Sequence, residues 1–181
     1  MSIVGHNLLE KAINEFKLSQ PSLILNSLSK GIVKTLHQSE NENGLKDGMD
    51  IALCSINYQT KKLEYAGAYN PLYIIRNGEL ILINSDKKAI GNNVDELTDG
   101  YTHHEFDLQK GDTIYVFTDG YADQFGGPKG KKFKYKSLQQ LLVSINDKSM
   151  EEQKLILENT FTTWKGKLEQ VDDILIMGVR I

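Results

Sequence analysis

Asp119 comes one residue after the apolar run Ile114-Tyr115-Val116-Phe117, inside Thr118-Asp119-Gly120, and Asp123 and the pair Gly126-Gly127 follow it. Asp172-Asp173 stand directly before another apolar run, Ile174 to Val179, and Asp47 and Asp50 flank Gly48-Met49 ahead of a third, Ile51 to Ile56. Acids at the ends of apolar runs can serve a hard cation: ligands that are all oxygen suit Mg²⁺ or Mn²⁺ rather than Zn²⁺. Strand ends also hold ligands more rigidly than loops do. Neighbouring carboxylates repel, so a cluster stays ionised cheaply only with a cation or several donors among them. Solvated turns are the competing reading, because Asp and Gly are ordinary strand-exit residues. Spacing alone leaves both open.

Other chemistries find less support. A second Asp two residues after Asp119, as a phosphoaspartate-forming hydrolase needs, is replaced by Tyr121. The chain has no glycine-rich phosphate loop ending in Gly-Lys-Ser/Thr, no CxxC and no HExxH. His103 and His104 alternate faces on one strand, so they read as surface histidines and not as a chelating pair. The lysines of PKGKKFKYK, among them Lys129, Lys131 and Lys132, are the one local charge run. They read either as a solvated flap or as an electropositive rim for a phosphorylated partner.

These residues need a scaffold, and 181 residues are enough for one domain with a sizeable core. With 40% hydrophobic and 25% charged residues and a net charge of −3, nothing global calls for nucleic acid or an anionic membrane. The single cysteine, Cys54, cannot form an internal disulfide and reads as a buried thiol in a reducing compartment. No segment has a signal-peptide pattern or the roughly 18 apolar residues of a membrane span, so a cytoplasmic location is expected.

Helices are expected over 1–38, from Leu8, Leu9, Ala12, Ile13 and Phe16 and then Leu25, Leu28, Ile32 and Leu36 at helical spacing. Residues 49–118 read as an antiparallel meander of about six strands, with hairpin turns at Gln59-Thr60-Lys61-Lys62, Asn77-Gly78 and Gln109-Lys110-Gly111-Asp112. Helices return over 135–165, and 173–181 forms the last strand. Ile51 to Ile56 and Ile174 to Val179 barely alternate, which predicts burial on both faces. The economical architecture is α+β, with sheets layered between helices.

DGMDIALC, LEYAGAYNPLYIIRNGEL, GDTIYVFTDGYADQFGG, GKKFK and QVDDILIMGVRI occur in that order. Together they resemble the SpoIIE-like branch of the metal-dependent Ser/Thr protein phosphatases, the PPM family, across the whole chain. The resemblance implies an α-β-β-α sandwich of two antiparallel sheets and a paired Mn²⁺ or Mg²⁺ centre at one edge. It assigns Asp119 and Asp172 as metal ligands and Asp173, Gly120 and Asp50 to supporting positions, while Asp47 and Asp50 receive no ligand role. It implies hydrolysis of phosphoserine or phosphothreonine by a metal-activated water. It further implies an anti-sigma-factor antagonist as the phosphorylated protein substrate and an upstream sensor or regulatory domain.

The family's first motif is an Asp-Gly that bridges both metals and precedes the helix that opens this sequence. No such segment occurs among the 181 residues, since Asp47-Gly48 lies beyond the two helices. The resemblance therefore implies a truncated domain lacking N-terminal strands and weak or absent catalysis without the bridge. Open sheet edges then predict dimerisation. The alternatives are a non-catalytic phosphoprotein-binding or regulatory module with the same fold, and a structural domain whose acids are solvated turns.

Overall fold

The computed structural model describes residues 2–37, 48–91 and 100–181; Asp47 lies outside the described residues, as does most of the polar stretch ahead of it. Two compact units form, one of Met1–Pro71 with Asn84–Leu108 and one of Leu72–Ile83 with Gln109–Ile181. In chain order the helices are α1 (Ser2–Glu10), α2 (Pro21–His37), α3 (Gly120–Asp123), α4 (Tyr135–Ser144) and α5 (Met150–Lys165). The strands are β1 (Ile51–Asn57), β2 (Lys62–Ala68), β3 (Leu72–Arg76), β4 (Glu79–Ile83), β5 (His104–Asp107), β6 (Thr113–Phe117), β7 (Phe125–Gly126), β8 (Lys131–Lys132) and β9 (Ile176–Arg180). Helices with antiparallel sheets make the α+β class that the sequence predicts.

In the first unit α2 begins at Pro21, whose missing N–H costs nothing in the first turn. Leu25, Leu28 and Ile32 are buried along one stripe with Ala66 and Ala68 of β2. The stripe expected on α1 departs from its 3.6-residue pattern: Ala12 is buried, but Ile13 and Phe16 are 43% and 54% exposed. The chain widens there into a π-helical stretch, Lys11–Glu15, closed by the Phe16 N–H donating to the Lys11 carbonyl. A wider turn changes the angular step between residues, so side chains that a regular helix would bury turn outward.

The strands do not run as one meander. They divide into sheets ordered β1-β2-β5 and β4-β3-β6-β9, with the small pair β7-β8. Asn77 and Gly78, at φ 53° and 77°, close the β3–β4 hairpin in the left-handed conformations that such a turn requires. Gln109 to Asp112 is not a hairpin turn, because β5 pairs with β2 while β6 pairs with β3 and β9. Turn chemistry signals a reversal but not which strand becomes the neighbour. Ile51 to Ile56 are only half-buried, because β1 is an edge strand. Ordered pairing of the last strand begins at Ile176 and not at Asp173, and Leu175 and Met177 remain 51% and 52% exposed. β9 is likewise an edge.

The second unit packs Tyr73 and Ile75 of β3 and Tyr115 and Phe117 of β6 with Leu138 and Leu142 of α4 and Leu157 of α5. Asp112, one per cent exposed, is held below the ordinary carboxylate range: burial alone would raise its pKa, but Arg76 and the Gln109 N–H outweigh it. Arg76 donates from Nε to Oδ1 at 2.9 Å and from Nη2 to Oδ2 at 2.7 Å, and the Gln109 N–H donates to Oδ2 at 2.8 Å. A depressed carboxyl pKa contributes stability above the unfolded value of 3.8 and loses it as pH falls through the folded one. Asp112→Ala, which removes this bidentate pair, should lower urea stability at pH 7 by about 3 kcal/mol, with a smaller deficit in strong acid; equal stability at pH 7 counts against the pair.

Candidate functional site

β6 ends at Phe117, and Thr118, Asp119 and the short α3 follow without a linker. Asp119 adopts helical dihedrals (φ −71°, ψ −19°), and its carbonyl accepts the Asp123 N–H at 2.9 Å, so the chain turns as soon as the acid has been delivered. Gly120 makes that turn possible. A Cβ there would lie 2.5 Å from the Asp173 carbonyl oxygen, so only glycine lets the two backbones approach so closely.

The segment carrying Asp172 has no strand partner of its own, yet it is tied on both sides. The Thr118 hydroxyl donates to the Asp173 carbonyl and accepts the Leu175 N–H, both at 2.9 Å, and the Thr118 N–H donates to the Leu175 carbonyl at 3.0 Å. The fully buried Gln124 donates from Nε2 to the Glu169 carbonyl at 2.9 Å and accepts the Val171 N–H at 3.3 Å. Asp172 accepts the Asp173 N–H on its own Oδ1 at 2.7 Å.

Asp119 and Asp172 thus come close enough to feel one another. Burial raises the Asp119 pKa above its ordinary value, the charges of Asp172 and Asp123 raise it further, and Lys132 opposes them. A carboxylate whose charge is made costly by burial and by neighbouring acids, in a place that offers only hard oxygens, belongs to a donor set that fits a divalent cation.

The other predicted residues fall as follows. Asp173 enters this network through its backbone. Asp50 precedes β1 in the first unit, an exposed residue. Lys132 is engaged: its Nζ lies 2.9 Å from Asp123 Oδ2. Lys129 and Lys131 are exposed, and the lysine flap contains the β7–β8 pair. Gly126 fits against Trp164, whose carbonyl oxygen would lie 1.9 Å from an added Cβ. Gln124 carries no sequence signal beyond its place after Asp123. His103 places Nε2 3.1 Å from Glu105 and 3.5 Å from Glu64, while its buried Nδ1 has no hydrogen-bond partner.

The family model described as Stage II sporulation protein E (SpoIIE) matches residues 2–181. This chain belongs to the SpoIIE family, within the PPM-type Ser/Thr protein phosphatases. The SiaA-PP2C domain of Pseudomonas aeruginosa is 25% identical with a TM-score of 0.85, over 99% of this chain and 67% of that one. The PP2C phosphatase domain of SpoIIE from Bacillus subtilis, solved with a fragment of its regulatory domain, is 18% identical with a TM-score of 0.70, over 98% of this chain and 48% of that one. RsbX in complex with magnesium is 13% identical with a TM-score of 0.61, over 96% of this chain and 71% of that one. Among curated proteins none matches. The chain thus spans about two thirds of the first of these structures and under half of the second, and its fold is the PPM-type α+β fold.

A carboxyl pKa raised in the folded chain means that its ionised form costs stability above that pKa, and the cost disappears as pH falls through it. Asp119→Asn should therefore raise the melting temperature of the metal-free protein at pH 7 by roughly 2 °C. The gain should fade as pH approaches 3.8. A lower melting temperature at pH 7 contradicts the repulsion.

Proposed function

We propose that residues 1–181 form one domain of a metal-dependent phosphoserine/phosphothreonine protein phosphatase of bacterial signalling, with Asp119 and Asp172 holding Mn²⁺ or Mg²⁺. The observation that carries this reading is that the backbone of Asp173 and Leu175 is bonded to Thr118, directly beside Asp119 at the end of β6, where burial and the charge of Asp172 make the charge of Asp119 costly. Magnesium in the RsbX structure supports the class of ion. Bound there, the ion would supply positive charge against the phosphoryl oxygens and a more acidic water.

The chain's own residues prepare the place. Asp119 rides on a strand end that cannot swing. Gly120 keeps side-chain bulk out of the contact with Asp173. Lys132 neutralises Asp123, which limits the local excess of negative charge. Lys129 and Lys131 project into solvent and suit an approaching phosphoprotein. Family membership supports an anti-sigma-factor antagonist as that phosphoprotein, and the regulatory-domain fragment in the B. subtilis structure supports regulation from an upstream domain. The net charge of −3 disfavours nucleic acid as a partner, and no helix among the described residues is long and apolar enough to cross a membrane. Together with the single cysteine, these suit the cytoplasm.

Within the second unit the described acids at this place are Asp119, Asp172, its neighbour Asp173 and the lysine-paired Asp123. A two-metal centre needs a carboxylate bridging both ions, so we expect the 181-residue chain to hydrolyse weakly. That no described acid is assigned the bridging place favours one second reading, a module of the same fold that binds a phosphoprotein or regulatory partner without hydrolysing it. Hydrolysis of p-nitrophenyl phosphate by this chain should be slow and Mn²⁺-dependent, and Asp119→Asn should lower it by about 100-fold or more. No Mn²⁺-dependent turnover at all, alongside retained binding of a phosphoprotein, selects the second reading.

The edge strand β9 supports dimerisation. The bonds of Leu175 and Ile181 to Thr118, Gly111 and Asp112 fix the alternation, so the N–H and C=O groups of Ile176, Gly178 and Arg180 face away from β6. A second copy can pair there. Light scattering at high concentration should give twice the 20.4 kDa chain mass, and a clean monomer rejects the pairing.

A further inference from the structure

Asp172 lies in a run, Gly166 to Asp173, in which every residue is exposed and none belongs to a strand or helix. Left to itself, a solvated segment of this kind would let the carboxylate move away from Asp119, since the two charges repel. Two uncharged side chains oppose that movement, and both belong to the short stretch that delivers Asp119. Gln124 holds the residues before Asp172, through the Glu169 carbonyl and the Val171 N–H. Thr118 holds the residues after it, through the Asp173 carbonyl and the Leu175 N–H.

Each clamp uses one donor and one acceptor at once, as a hydroxyl and a carboxamide can and a carboxylate or an ammonium cannot. Gln124 is fully buried, and its Nε2 also donates to the Phe125 carbonyl at 2.9 Å while its backbone carbonyl accepts the Trp164 indole N–H at 3.0 Å. Its amide is therefore fixed in orientation. Thr118 stands directly beside Asp119 in sequence, so a shift of one clamp moves both carboxylates.

We propose that Thr118 and Gln124 are positioning residues that set the affinity of the metal site by holding Asp172 against Asp119. This rests on the reading of Asp119 and Asp172 as metal ligands. Neither residue is itself one of the proposed ligands. They act by lowering the freedom that Asp172 would lose on binding, as groups behind the ligands of a metal commonly do.

The test measures Mn²⁺ affinity, with Mn²⁺ alone as the probe, by the electron paramagnetic resonance signal of the free ion. It compares the unaltered chain with Asp172→Asn, Thr118→Val, Thr118→Ser and Gln124→Met, and records the metal-free melting temperature of each. Thr118→Val keeps the shape and removes the hydroxyl; it should weaken Mn²⁺ binding roughly 10-fold to 100-fold. Thr118→Ser keeps the hydroxyl and should stay within about 3-fold of the unaltered chain on the same grounds. Gln124→Met should weaken binding as Thr118→Val does; because Gln124 is buried, the Val and Ser pair at position 118 decides the outcome if that variant fails to fold. Valine and serine variants that bind alike overturn the inference, as does a valine variant that melts lower but binds Mn²⁺ unchanged. Those results leave the metal site standing provided that Asp172→Asn still loses binding. An unaltered chain that fails to bind Mn²⁺, or an Asp172→Asn variant that binds as well as it does, overturns the site itself and the inference with it.

Discussion

Burial makes the charge of Asp119 costly, and the neighbouring charge of Asp172 adds to that cost, so contacts that are themselves uncharged must keep the pair together. Much of the second unit follows from that requirement. The Thr118 hydroxyl continues the β6–β9 ladder past the point where regular pairing stops, substituting a side chain for a backbone partner. The absent Cβ of Gly120 lets the Asp173 backbone lie against the start of α3. A few tenths of an ångström at either contact would reach the carboxylates directly.

That arrangement needs a rigid base, which aromatic packing provides. Tyr121 meets Phe133 edge-on at 5.2 Å between ring centroids, and Phe133 meets Trp164 in the same manner at 5.3 Å. The Tyr121 hydroxyl donates to the Leu157 carbonyl at 2.9 Å and so joins α3 to α5. Gly126 and Gly127 lie where any side chain would strike Trp164. The turn that presents Asp119 is thus fixed from below by rings and from the side by hydrogen bonds. Such preorganisation suits a site that must hold like charges in place.

The first unit is built on plainer terms. α2 covers β2 with leucine and isoleucine, and burial pushes the Cys54 thiol up to about 12. That thiol is protonated at neutral pH and so a poor nucleophile, consistent with its place in an apolar strand. The Arg76–Asp112 pair in the second unit is different. Arg76 ends β3 and Asp112 precedes β6, so this bidentate contact joins adjacent strands where apolar packing gives out.

The α+β class, the amphipathic stripe of α2, the Asn77-Gly78 hairpin and the family were all legible in the residues, because each depends on local chemistry or on motif order. Period, turn conformation and the delivery of an acid at a strand end are properties of short stretches. Strand partnership was not legible: Gln109 to Asp112 looks like a hairpin turn, yet it leads from one sheet into another, since pairing depends on neighbours distant in sequence. Nor was the outward turn of Ile13 and Phe16, which a π-helical step sets, or the half-exposure of β1 and β9, which edge position sets. At the candidate site, the sequence by itself determined which acids stand at strand ends and why glycine follows Asp119. Only the tertiary structure decided that Lys132 pairs with Asp123 and that Gln124 and Thr118 grip the segment between Glu169 and Leu175. Hydrogen bonds across 40 to 60 residues have no local signature, because any polar side chain can make them and the fold alone selects which ones do.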